Sequence, residues 1–148
     1  MKIVLVSDTH GENSLLKEVV LKEYDASIFF HLGDVLDYMD SIAPFAAVKG
    51  NCDSSLFHYP PSREFIFPSG KKAFFRHHPY SEAEVEELKK EGFSYLFHGH
   101  THRREERIQN GVTILCPGSL CFPRDGEYGS YLVFEGDETG EKWSFKNI

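Results

Sequence analysis

The chain is poor in cysteine, in excess basic charge and in long apolar runs, and each shortage excludes something. Only three cysteines occur in 148 residues, Cys52, Cys116 and Cys121, and no C-x-x-C pair is among them. An odd count argues against a disulfide-stapled secreted fold, rules out a zinc site of four thiolates, and predicts a reduced, cytoplasmic protein. Cys116 and Cys121 read as small buried apolar residues. Basic residues number 16 against 23 acidic ones, a formal net charge of -7. General nucleic-acid binders need a basic face to displace counterions, so nucleic acid is not expected as a partner. No apolar run approaches the ~20 residues that cross a bilayer, and no membrane association is expected. Met1–Val6 is too short an apolar run for a signal peptide and carries no cleavage site. Repeats, low-complexity tracts and linkers are also missing, which predicts one domain over residues 1–148.

What is present is an alternation of short apolar runs and turn signals. Lys2–Ser7, Ala26–Leu32, Phe45–Val48 and Phe93–Phe97 read as buried strands. Leu15, Leu16, Val19 and Val20 recur at helical spacing behind Asn13 or Ser14 as N-cap. Arg63–Phe67 and Lys71–Arg76 flank Pro68-Ser69-Gly70 and predict a hairpin. Ser81-Glu82-Ala83-Glu84 is a capping box opening a helix to about Glu91, with Gly92 as its stop. Glu105–Gln109 and Val112–Cys116 surround Asn110-Gly111, a type I′ turn signal. A last hairpin is predicted from Ser130–Glu135 and Lys142–Lys146, turning over Gly136–Gly140. The expected fold is mixed α/β, with two sheets packed face to face and covered by helices.

Eight histidines are present, and five of them lie between His77 and His102. Even spacing would place about 1.4 in that window. Five apolar strands end on or near a metal-capable side chain, namely Asp8, Asp34, Asn51, His77 and His100, with His10 and His102 two residues further on. Open α/β sheets build their sites at strand carboxyl ends, so these seven residues are predicted to converge. Two carboxylates, an amide oxygen and four imidazoles suit Mn, Fe, Zn, Co or Ni better than Mg or Ca. Seven ligands exceed the needs of one ion and suit two, sharing a carboxylate. Such a pair makes a local positive site within an acidic chain, lowers the pKa of bound water, and clamps the oxygens of an in-line displacement at phosphorus.

Asp8-Thr9-His10, Gly33-Asp34, Gly50-Asn51-Cys52-Asp53, His77 and Gly99-His100-Thr101-His102 together resemble the calcineurin-like metallophosphoesterase superfamily. Its small bacterial and archaeal phosphodiesterase branch is the nearest likeness, and Pro117-Gly118-Ser119 with Pro123-Arg124 resembles a loop of that branch. The likeness runs from residue 3 to about residue 124. It implies an αββα sandwich of two mixed sheets flanked by helices, with the metal site at the strand C-terminal ends. It assigns Asp8, His10 and His102 to one metal, Asn51, His77 and His100 to the other, and Asp34 to both, Mn being the expected metal. It implies phosphodiester hydrolysis by direct attack of a metal-bridging hydroxide, on a small phosphate-ester substrate, in a homodimer or homotetramer. Asp34 and Asn51 would serve catalysis as well as the metals.

The likeness has departures. Cys52 stands where many relatives carry a histidine taken as general acid, and a thiol is a poor substitute for imidazole. His78 stands where the branch often has glycine, and Cys116 where it often has asparagine. His78 is therefore the candidate to supply the missing proton, or to narrow the pocket. Alternative readings are a phosphomonoesterase and a non-catalytic interaction scaffold, since a retromer subunit shares the fold. Arg103 and Arg104 follow the ligand block and are weighed as phosphate contacts against solvated or salt-bridged residues. His31 reads as a supporting core histidine and His58 as a loop residue. His98, two residues before His100, would share a face with it on a strand, and reads equally as support for the site or as packing. Specificity is expected in the Tyr38–Phe45 and Leu56–Arg63 loops and around His78.

Overall fold

A computed structural model describes residues 1–126 and 128–148. Ten strands form two five-stranded sheets. The first has the order β10-β9-β1-β2-β3, with β1 at Lys2–Val6, β2 at Ile28–His31, β3 at Phe45–Ala47, β9 at Ser130–Asp137 and β10 at Gly140–Asn147. The second has the order β4-β5-β6-β8-β7, with β4 at Ser62–Ile66, β5 at Lys72–Arg76, β6 at Phe93–Phe97, β7 at Arg104–Gln109 and β8 at Val112–Pro117. In the second sheet the parallel strands β5-β6-β8 lie at the centre between antiparallel edges, whereas in the first the parallel strands β1-β2-β3 run out to the β3 edge and only the β9-β10 side is antiparallel. Both sheets are mixed, as expected.

The layers follow from strand alternation. Ile3 and Leu5 of β1 face inward with Phe30, Phe75, Phe97, Leu132 and Phe134, an aromatic seam between the sheets. The Phe75 and Phe97 rings stack at 4.9 Å, and the Phe134 ring stacks on Trp143 at 5.4 Å. Val4 and Val6 point the other way, onto Leu16 and Val19 of helix α1 (Ser14–Lys22). Leu96 and Ile114 of the second sheet meet Val85 of helix α2 (Glu82–Lys90). One helix thus covers each outer face, giving αββα. Ser81 and Glu84 make both bonds of the capping box at α2. Asn13 occupies the N-cap position of α1 but makes no capping bond. Its side chain instead accepts from Thr9 Oγ1 (2.6 Å) and donates to the Val35 carbonyl (3.1 Å), beside the strand ends.

Asn110 and Gly111 both take positive φ, 47° and 83°, as a type I′ turn demands. The last hairpin is tighter than its glycines suggest. The ladder runs through Gly136↔Glu141 and Asp137↔Gly140, so only Glu138 and Thr139 form the turn. No helix among the described residues is long and apolar enough to cross a membrane.

Candidate metal centre

The parallel strands of both sheets end on one side of the molecule. Asp8 follows β1, Asp34 follows β2, Asn51 follows β3, His77 directly follows β5, and His100 and His102 follow β6. All seven residues named from the sequence meet there. Around Asp8 Oδ1 lie His102 Nε2 at 3.4 Å, His77 Nε2 at 3.8 Å and His10 Nε2 at 3.9 Å. His10 Nε2 and His102 Nε2 are 3.2 Å apart. On the other side, Asn51 Oδ1 lies 3.0 Å from His77 Nε2 and 3.1 Å from His100 Nδ1. Asp34 Oδ2 straddles the two groups, 3.3 Å from His77 Nε2 and 3.6 Å from His10 Nε2.

The backbone is bent to achieve this. Asp8, His10, Asp34, His100 and His102 all take left-handed φ, between 46° and 72°. Non-glycine residues seldom do so, and each instance costs of order 1–3 kcal/mol, recovered from surrounding contacts. Among those contacts are Asp8 N–H to the Gly33 carbonyl (3.1 Å) and His10 N–H to the Asp34 carbonyl (2.9 Å), which lock the β1 and β2 loops together. Ser119 Oγ, beyond β8, donates to the Asp8 carbonyl at 2.8 Å. Gly99 and Gly50 let the loops close up. A Cβ on Gly99 would sit 2.1 Å from Ser7 Oγ and 2.8 Å from Asp8 Oδ2, and one on Gly50 would sit 2.2 Å from Asp34 Oδ1.

Two imidazoles are oriented by main-chain carbonyls. His77 Nδ1 donates to Leu32 O (2.7 Å) and His102 Nδ1 to Phe122 O (2.8 Å), so each turns its Nε2 inward. Asp8 Oδ2 accepts from Ser7 Oγ (2.6 Å) and the His100 N–H (3.0 Å), which leaves Oδ1 to face the histidines. That atom is buried and has no hydrogen-bond partner. Asp34 is handled alike, its Oδ1 accepting the Cys52 N–H at 2.8 Å. Burial works to raise the Asp34 carboxyl, but the His77 hydrogen bond, the Cys52 N–H and the charges of His77 and His10 hold it down, at about 2. For His77, burial works to lower the imidazole, while the Asp34 hydrogen bond and the charges of Asp8 and Asp34 raise it overall. The centre therefore favours added positive charge.

These features fit divalent cations. A buried carboxylate oxygen without a donor costs free energy that a cation removes. Asp8, His10 and His102 form one group with ligand atoms within 4.8 Å of one another, and Asp8, Asp34 and His77 form another. Cys52 Sγ joins a third group with His10 and Asp34. Burial and the neighbouring Asp34 charge raise the Cys52 thiol, which keeps it protonated.

His78 is exposed, its ring 4.9 Å from that of His100 and 5.3 Å from that of His77. Burial, then the charges of His77, His100 and Arg76, lower its pKa. His31 is fully buried under the site. It accepts the Gly33 N–H at Nδ1 (3.1 Å) and donates to Thr9 Oγ1 (2.9 Å), and burial with the His77 charge pushes it down to about 3. It is the supporting neutral histidine expected. His98 takes the packed position, one of its two readings. β6 stops at Phe97 and His100 turns left-handed, so His98 stays buried on Glu105 (2.9 Å) while His100 is exposed toward Asn51. Arg104 is salt-bridged to Asp125 at 3.0 Å rather than turned to the site.

One residue of the quoted Gly50-Asn51-Cys52-Asp53 block was given no role by the sequence. Asp53 is buried, and its carboxylate accepts the N–H groups of Asp34 (2.9 Å), Val35 (2.9 Å), Leu36 (2.8 Å) and Gly50 (2.8 Å). After Gly50-Asn51 it reads as a turn former, and its distant partners leave no local signal.

Comparison with known proteins identifies the family. The chain belongs to the calcineurin-like phosphoesterase superfamily, whose domain model matches residues 1–139. It is 30% identical over 140 residues to a probable metallophosphoesterase of Methanothermobacter thermautotrophicus, covering 84% of this chain and 80% of that one. It is 26% identical over 165 residues to phosphodiesterase YfcE of Escherichia coli, covering 93% and 89%. A crystal structure of a predicted phosphoesterase from Streptococcus pneumoniae superposes with a TM-score of 0.82 at 25% identity, covering 99% of this chain and 88% of that one.

Proposed function

We propose that the protein is a dinuclear metal-dependent phosphodiesterase acting on small phosphate esters. The observation that carries this reading is the placement of Asp34 Oδ2, within 3.6 Å of a ligand atom from each of the two groups. Asp8, His10 and His102 would hold one ion, Asn51, His77 and His100 the other, and Asp34 both. The ions would supply an activated water and neutralise charge developing on the phosphoryl oxygens. Mn is the favoured occupant, with Fe, Zn, Ni or Co also suited to a mixed imidazole and carboxylate set.

The chain's own residues set the geometry. Asp34 is kept ionised by His77 and the Cys52 N–H. The Asn51 amide oxygen is shared between two imidazoles at the exposed rim, where an ester oxygen would arrive. His78 is the proton donor of this reading. Its side chain has no hydrogen-bond partner among the described residues and stands beside His100. An anionic phosphate bound next to it would favour the protonated ring that donates. Cys52 is too weak an acid for the task. Without the His78 proton, only esters with good leaving groups would be cleaved efficiently. The protein works in the cytoplasm, as a single domain and as a small homo-oligomer.

The test is hydrolysis of bis(p-nitrophenyl) phosphate and p-nitrophenyl phosphate by Mn-reconstituted protein. Faster diester turnover is expected. Monoester preference would make the protein a phosphomonoesterase, and no turnover with either would favour a scaffold.

A further inference from the structure

An open groove lies directly beside the centre, lined by His10, His102, Phe122, Pro123 and Arg124. The sequence points for specificity to other places, the Tyr38–Phe45 and Leu56–Arg63 loops and the surroundings of His78. The Phe122–Arg124 wall is not a loose surface loop, because the site itself holds it. The Phe122 carbonyl accepts from His102 Nδ1 (2.8 Å), the Phe122 N–H donates to Ser119 Oγ (2.9 Å), and the Arg124 N–H donates to the His102 carbonyl (2.9 Å). Asp125 ties the far end to Arg104.

This clamped backbone leaves the Phe122 side chain 44% exposed. Its ring stands edge-on to His10, 5.8 Å between centroids at 85°. An exposed phenylalanine held against a metal-ligand candidate buries no core of its own. What it offers is a flat apolar face next to His10 and His102, and Arg124 adds a planar cation to the same wall.

The geometry points to a substrate subsite here, one that takes a planar aromatic ester group, aryl or nucleobase, against Phe122 and Arg124. The inference rests on the phosphoesterase reading above, which supplies the phosphate position. Phe122 is then a specificity residue, and the preferred diesters carry an aromatic ring on the His10 and His102 side of the centre.

The test needs no turnover. Mn-loaded protein is titrated calorimetrically with phenylphosphonate and with methylphosphonate. Tighter binding of the phenyl compound by about tenfold is expected from burying one ring. Phe122→Ala should reduce that ratio below about twofold, Phe122→Trp should keep it, and Arg124→Ala should lower it by a smaller factor, about threefold. Mn titration of each variant checks that His102 is still in place. Equal affinity for the two phosphonates in the wild type, or an unchanged ratio in Phe122→Ala, overturns the subsite while leaving the phosphoesterase reading intact. Failure of both phosphonates to bind Mn-loaded protein overturns the phosphate position and the subsite with it.

Discussion

Asp53 holds Asp34 in place: its Oδ2 accepts the Asp34 N–H at 2.9 Å and the Gly50 N–H at 2.8 Å, joining the loops after β2 and β3. Its Oδ1 takes the next two N–H groups along, Val35 and Leu36. A side-chain amide in its place would turn an NH₂ toward these donors. Asp53→Asn should cost about 1–3 kcal/mol of stability and weaken metal binding by roughly 10–100-fold. Urea unfolding and a Mn titration check the two effects.

The close approach at Gly99 leads to a second prediction. A methyl group there meets Ser7 Oγ and Asp8 Oδ2, so the Asp8 carboxylate must shift. Displacements of about 1 Å in a site cost on the order of 100-fold in rate. Gly99→Ala should lose about that much phosphodiesterase activity while keeping the far-ultraviolet circular dichroism of the wild type.

Removal of individual ligands should separate folding from chemistry. His100 is exposed and its ring carries little packing, so His100→Ala should fold normally yet lose activity by more than about 100-fold. Saturating Mn should raise the wild-type melting temperature, since a ligand bound at 100 times its dissociation constant adds about 2.7 kcal/mol. A chelator should reverse that rise. The variant should show a smaller one, and a full wild-type rise with full activity would contradict the assignment.

Away from the centre, acid stability should depend on Glu23. Its buried carboxylate pairs with Lys2 (2.7 Å) and Lys146 (2.6 Å) and accepts from the Tyr131 hydroxyl (3.0 Å). Burial works to raise this carboxyl, but the three donors outweigh it and its pKa is lowered. The folded value lies below the unfolded one, so the contribution is full above the unfolded value and is lost as pH falls toward the folded one. Urea midpoints of wild type and Glu23→Gln should therefore differ most near pH 7 and draw together as pH falls below the ordinary glutamate value of 4.5. A constant difference would show that the ion pairs contribute nothing.

Much of this was legible in the sequence because the signals are local. Continuous apolar runs mark β1, β2 and β6, and Asn110-Gly111 and the Ser81 box fix a turn and a cap whose partners lie within four residues. The convergence of the seven candidate residues was legible because each ends or closely follows a strand, and parallel strands end together. What lay hidden depends on distant partners or on backbone conformation. Asp53 looks like a turn residue until β2 and β3 are side by side. The left-handed φ of Asp8, Asp34 and His102 is imposed by loop-to-loop hydrogen bonds. The last hairpin was read as a five-residue turn because Gly136 and Gly140 signal irregularity, yet both pair in the ladder. Phe122 drew no notice because an aromatic beside a proline reads as loop.

The central claim, a centre that needs two ions for phosphodiester hydrolysis, is tested most directly by titrating metal-free protein with Mn. The protein is held well above its dissociation constant while bis(p-nitrophenyl) phosphate hydrolysis is followed. The predicted result is turnover that climbs to a plateau at two equivalents per chain. A plateau at one equivalent, or no turnover at any ratio, would contradict it.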